Sequence, residues 1–184
     1  QLGKNEFRNK FSNTSLGAIW GFIQPFIFLV TYAVVIQFIL KSGASGDNPF
    51  IVWYLPGMAM WMLINDNILN VTGSIRNYSY LVKKVVFPID TIPVISLIST
   101  SITSIFIILI ALIICIIYGY VPNILLMLYY IFAAFCFLIG FTRMTSAITT
   151  LVPDFGQLLS VVMQVLFWFT PILWDITAIA GTFG

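Results

Sequence analysis

Histidine is absent from this 184-residue chain, and charge is scarce: eight Lys and Arg against six Asp and Glu, 8% of the residues together. Without His there is no His-based zinc site, no His general base and no Ser–His–Asp triad. No Gly-x-x-x-x-Gly-Lys-Ser/Thr phosphate loop occurs, so the chain is not itself an ATPase of that kind. No basic stripe runs along a polar surface, which argues against a nucleic-acid partner. The two cysteines, Cys115 and Cys136, lie inside apolar runs, where a thiol packs as a small hydrophobe rather than serving redox or metal chemistry. Short alternating apolar segments, the mark of a membrane β-barrel, are missing too.

What fills the chain instead is hydrocarbon. Hydrophobic residues make up 60% and mean hydropathy is +1.05, whereas soluble domains carry about 25% charged residues. Five apolar runs stand out, over residues 17–40, 50–71, 94–118, 124–150 and 158–174. Each is long enough to cross a hydrocarbon core of about 30 Å at about 1.5 Å per residue. The expected fold is an all-α integral membrane protein, one polytopic helix bundle over residues 15–184. The first run is too long for a signal-peptide core and no small-residue cleavage site follows it, so it is expected to remain.

Threading the runs in order places Lys4, Arg8, Lys10, Arg76, Lys83, Lys84 and Arg143 on or toward the starting side, with Lys41 alone opposite. Short loops rich in Lys and Arg stay cytoplasmic, so the N-terminus is assigned to the cytoplasm. The Asn-x-Ser/Thr sequons at Asn13, Asn70 and Asn77 then fall inside or within the membrane and carry no weight as glycosylation sites. Trp53, Tyr54, Tyr118, Tyr120, Trp168 and Trp174 fall at outer headgroup depth, as an aromatic belt would. The chain opens on Gln1 and closes on Gly184 after a fifth span, which reads as a fragment of a longer protein.

Residues 1–14 pair Phe7 with Phe11 and Glu6 with Lys10 at helical spacing, as an amphipathic helix at the cytoplasmic interface would. The first span has Gly17 and Gly21 four apart, permitting close helix approach, and Pro25 within it. Between the second and third spans, Ile75, Tyr78, Val82 and Val85 recur at helical spacing until Pro88. A helix that short must lie along the membrane or against a cytoplasmic partner; its lysines would equally serve as a positive-inside anchor.

Asp66 and Arg143 fall inside spans two and four. A charge at mid-membrane costs roughly 2.5–3.5 kcal/mol on insertion scales, so each needs a partner, water or a pathway. Counting about 1.5 Å per residue puts both roughly 15 Å from the cytoplasmic face. An Asp66–Arg143 ion pair is expected, locking helices together or contacting a polar substrate.

Four stretches carry a resemblance: Ser15-Leu-Gly-Ala-Ile-Trp20 with Pro25; Leu55-Pro-Gly-Met-Ala-Met-Trp61; Leu81-Val-Lys-Lys-Val-Val-Phe-Pro88 with Pro93; and Phe169-Thr-Pro-Ile-Leu-Trp174. Together the chain resembles the permease subunit of bacterial ATP-binding-cassette exporters of cell-surface polysaccharides, teichoic acid exporters most of all. The resemblance implies six spans in a homodimer at the plasma membrane. It also implies a separate cytoplasmic ATPase, which would hold ATP and Mg while this chain holds no cofactor or metal. Residues 74–84 would be the coupling helix seated in that ATPase, with Arg76, Tyr78, Leu81, Lys83 and Lys84 as contacts and Asp154 beside them. Where the family usually carries Arg-Asp between spans four and five, this chain has Pro153-Asp154, which puts the arginine's contact in doubt. The sixth span does not follow within the 184 residues.

A glycan on a lipid carrier needs a wet or aromatic path, because sugar hydroxyls lose hydrogen bonds in hydrocarbon. Gln24, Phe28 and Thr31 share one face of the first span, and Gln157, Gln164 and Trp168 one face of the fifth. These faces are expected to line a conduit; ordinary helix packing is the plainer explanation of both. The competing classes are a membrane-embedded enzyme on lipid-linked sugars or phospholipids and an ion-coupled transporter. The enzyme lacks a second intramembrane carboxylate near Asp66. The ion-coupled transporter lacks an evident inverted repeat.

Overall fold

The computed structural model describes residues 2–10, 17–35, 50–79 and 89–172. Among these every regular element is a helix: α1 Leu2–Lys10, a 3₁₀ turn Gly17–Ile19, α2 Trp20–Val34, α3 Phe50–Thr72, α4 Ser74–Asn77, α5 Thr91–Ile117, α6 Ile124–Leu151 and α7 Phe155–Phe169. The loop at 41–49, the residues Leu81, Lys83 and Lys84, and Trp174 lie outside the described residues. α5 and α6, at 27 and 28 residues, are long and apolar enough to cross a membrane; α2 and α7 are shorter apolar helices. With α3 they make the polytopic membrane bundle that composition demands.

The turn from α5 to α6 shows how sequence closes a membrane hairpin. Gly119 takes φ +83°, a left-handed conformation that costs glycine nothing. Its N–H bonds the Ile116 carbonyl at 2.9 Å and the Tyr120 N–H bonds the Cys115 carbonyl at 3.0 Å, the paired geometry of a Schellman cap. Four residues later the Asn123 side chain accepts the Leu126 N–H at 3.3 Å and caps α6.

α3 is the hub. Tyr54, Leu55, Leu63 and Val71 are fully buried and pack with Leu97, Ile107 and Ala111 of α5 and Leu138 of α6. Small hydroxyl residues let α6 approach closely: Thr142, Thr145, Ser146 and Thr149 are all buried. Thr145 Oγ1 meets Thr72 Oγ1 of α3 at 2.9 Å, and Ser101 of α5 donates to the buried Asn67 Oδ1 at 3.2 Å. The remaining Ser and Thr hydroxyls of α6 turn back onto their own helix, as Thr142 does to the Leu138 carbonyl at 2.6 Å. The first half of α6 exposes Leu125, Leu128, Tyr129 and Phe132, which lipid solvates without cost.

α1 is held to the bundle rather than left on the interface alone. Phe7 packs on Phe22 of α2 at 5.6 Å, and Phe22 meets Phe106 of α5 edge-on at 4.9 Å. Ser96 of α5 donates to Glu6 Oε1 at 2.7 Å. At Gly3 the contact is so close that a Cβ would stand 2.8 Å from Ile98 Cγ2.

Candidate functional site

Four helices, with Phe7 of α1 at one end, leave a cavity of about 680 Å³ between them, within the roughly 300–1,000 Å³ range of ligand sites. Each contributes one helical face. α2 turns in Gly21, Gln24, Pro25, Phe28 and Tyr32; α7 turns in Met163, Gln164, Phe167 and Trp168. α3 supplies Met58, Trp61, Met62, Asn65, Asp66 and Asn70, and α5 supplies Ser99, Thr100 and Thr103. The spacings are those of 3.6-residue periodicity.

The lining is graded along the bundle. Toward the end where α1 lies it is polar. The half-buried Asp66 accepts from Asn65 Nδ2 at 3.2 Å, and Asn70 Nδ2 donates to the Asp66 carbonyl at 2.7 Å. Toward the other end it is aromatic. Tyr32 meets Phe167 edge-on at 6.2 Å, Trp61 lies 5.5 Å from Phe167, and Phe28 packs on Tyr32 at 4.6 Å. From Asn70 to Trp61 is nine residues of α3, roughly 13 Å along the axis.

The expected conduit residues divide. Gln24, Phe28, Gln164 and Trp168 come together in this lining. Thr31 and Gln157 are exposed and lie outside it. Of the expected coupling residues, Arg76 is exposed on α4, Tyr78 half-buried just after it, and Asp154 exposed at the turn into α7.

The expected Asp66–Arg143 ion pair does not form. Arg143 is exposed on α6, while Asp66 faces the cavity among α2, α5 and α7. The two match in depth but not in azimuth: α6 turns Thr142, Thr145, Ser146 and Thr149 inward, and Arg143 points about 115° from the centre of that arc. Stability effects of Asp66→Leu and Arg143→Leu should therefore add within about 0.5 kcal/mol in a double-mutant cycle read by thermal unfolding. A coupling well above that would restore the pair.

Tyr32, Trp61, Phe167 and the Ser99–Thr103 stripe are not among the expected conduit residues. For Trp61 a signal is present: positions 58, 61, 62, 65, 66 and 70 follow an i, i+3, i+4, i+7, i+8, i+12 pattern.

A multi-pass helix bundle around a cavity that changes from polar to aromatic with depth is the framework of a membrane transporter. The comparisons give the family. Residues 1–183 match the model of the ABC-2 type transporter family, and the chain belongs to it. It is also similar to the O-antigen export system permease protein RfbA of Myxococcus xanthus, with 19% identity over 180 residues, covering 97% of this chain and 68% of the relative. The chain is thus the membrane component of a transporter, not an enzyme in its own right.

Proposed function

We propose that this chain is the permease subunit of an ATP-driven exporter that moves a lipid-linked polysaccharide, of O-antigen or teichoic acid type, from the cytoplasm to the outside. It works at the bacterial plasma membrane as a homodimer, with a separate cytoplasmic ATPase that binds ATP and Mg. The observation that carries this reading is the cavity's lining. Amide, carboxylate and hydroxyl groups can replace water around sugar hydroxyls as they leave the cytoplasm. The rings beyond offer faces on which the apolar faces of a sugar can rest. Gln24 and Phe28 from α2 meet Gln164 and Trp168 from α7 there, and the second copy would close the side these helices leave open. The family and the relative's name support the substrate class. The segment from Ser74 onward, with Arg76 and Tyr78 in its described part, is the surface that receives the ATPase, and Asp154 at the neighbouring turn adds to it.

Two linked assays test this. Affinity-tagged full-length protein should co-purify the ATPase encoded beside it. Cells depleted of the protein should lose surface glycan and accumulate lipid-linked glycan on the cytoplasmic leaflet. A permease that retains no ATPase, in cells whose surface glycan is unchanged, ends the exporter reading.

A further inference from the structure

Cytoplasmic to the main cavity lies a smaller chamber of about 300 Å³. Asn70, Ser99 and Thr100 line both spaces, so the two share a wall. The chamber's remaining sides are Glu6 of α1, Ser96 of α5, and Ser74, Asn77 and Tyr78 of α4 and its cap. It is therefore the place where the interfacial helix meets the beginning of the segment expected to contact the ATPase.

Its chemistry selects a ligand class. The Glu6 carboxylate in its wall disfavours a phosphate, and no Lys or Arg lines it among the described residues. Hydroxyls and amides predominate, and these both donate and accept, matching a ligand whose own hydroxyls do the same. Glu6 already accepts from Ser96. Ser74 is 2% exposed, and its hydroxyl has no hydrogen-bond partner among the described residues. A buried hydroxyl left unpaired is unfavourable; Ser74 is in the chamber's wall, and a turn about its χ1 would offer that hydroxyl to a ligand. The Tyr78 ring supplies an apolar face.

We infer that this chamber binds a single neutral sugar unit, bridging α1 to α4 at the cytoplasmic mouth of the cavity. The inference rests on the exporter reading and adds a binding site to it.

The test uses the full permease–ATPase complex in lipid nanodiscs, in a Cys115→Ala, Cys136→Ala background. Asn77→Cys, at an exposed lining position, reports access through its rate of thiol labelling. Methyl glycosides of glucose, rhamnose and N-acetylglucosamine are the probes. Single-sugar sites bind in the millimolar range, so about 10 mM of a fitting glycoside should slow labelling roughly tenfold by mass action. Ser74→Ala removes a hydroxyl of the chamber's wall, so protection should fall; because Ser74 heads the segment read as receiving the ATPase, ATPase retention is measured on the same sample, and only a fall in protection with retention intact counts for the site. Protection by a prenyl-pyrophosphate-linked N-acetylglucosamine at far lower concentration than the methyl glycoside assigns the sugar to a lipid-linked glycan; equal potency assigns a free sugar. Labelling that no glycoside slows, or that sodium phosphate or magnesium chloride slows equally, overturns the site. ATP hydrolysis by the same sample separates the two ideas. An active complex with an unprotected Asn77→Cys sinks the chamber alone, and a permease that binds no ATPase sinks the exporter reading.

Discussion

Thr145→Leu is expected to be the most destabilising single change at the α3–α6 contact. Thr145 has no exposed surface, and its hydroxyl stands 2.9 Å from that of Thr72. Each hydroxyl has one proton. Thr72 bonds the Ile68 carbonyl at 2.6 Å, so Thr145 is left to donate to Thr72, with the Thr142 carbonyl at 3.2 Å as its weaker alternative. Leucine removes that bond and adds bulk where Thr142, Ser146 and Thr149 hold the helices close. Burying leucine there brings no hydrophobic gain, since lipid solvates it equally well. Overpacking costs about 1–3 kcal/mol, and the interhelical bond adds about 0.6 kcal/mol, at most about 1.7. Thermal unfolding in detergent should fall by about 5–15 °C, at roughly 2–4 °C per kcal/mol for a chain this long. Thr145→Ala loses only the bond and a methyl, and should fall by a few degrees; Thr145→Ser should stay near the parent. If Ala is as damaging as Leu, the hydrogen bond rather than close approach governs the contact.

The parts of this architecture that a sequence exposes are those written in one helix at a time. Runs of apolar residues give the spans, and Gly119 and Asn123 mark the hairpin between two of them. Polar residues on greasy helices stand out as well, as Gln24 and Gln164 do, and both fall in the cavity lining. Errors arise where azimuth matters. Thr31 follows Gln24 by seven residues, close to two turns, yet the arc of α2 that faces the cavity is centred toward Phe28 and Tyr32 and leaves Thr31 roughly 75° from its middle. Asp66 and Arg143 were matched by depth alone. Which helices adjoin, and how each is rotated, is settled by the hydroxyl stripe of α6 against Thr72 and by Ser101 against Asn67. Such pairings join residues far apart in the chain and leave no periodic trace in either helix.

The second large effect concerns transport rather than stability. Trp61→Leu combined with Phe167→Leu should lower export about five- to thirtyfold while the protein still inserts and binds its ATPase. Both rings face the cavity and lie 5.5 Å apart, tilted 45°. Phe167 also touches Tyr32 and Trp168, so removing it opens the aromatic zone at its centre. Leucine keeps an apolar filling and deletes the ring faces. Aromatic contacts contribute about 0.5–1.5 kcal/mol beyond area alone. Losing one to two kcal/mol of stabilisation from the highest barrier slows the step by about five- to thirtyfold. The rings also join α3 to α7, so the stability of the double variant is measured alongside. Trp61→Phe restores a ring with less packing volume; if ring faces matter it should recover most of the export, and if packing alone matters it should do no better than leucine. Val30→Leu and Val161→Leu, on exposed faces outside the lining, serve as controls. Normal surface glycan in cells carrying the double leucine variant would remove the aromatic zone from the path and leave the polar wall around Asp66 and Gln164 as the route to examine.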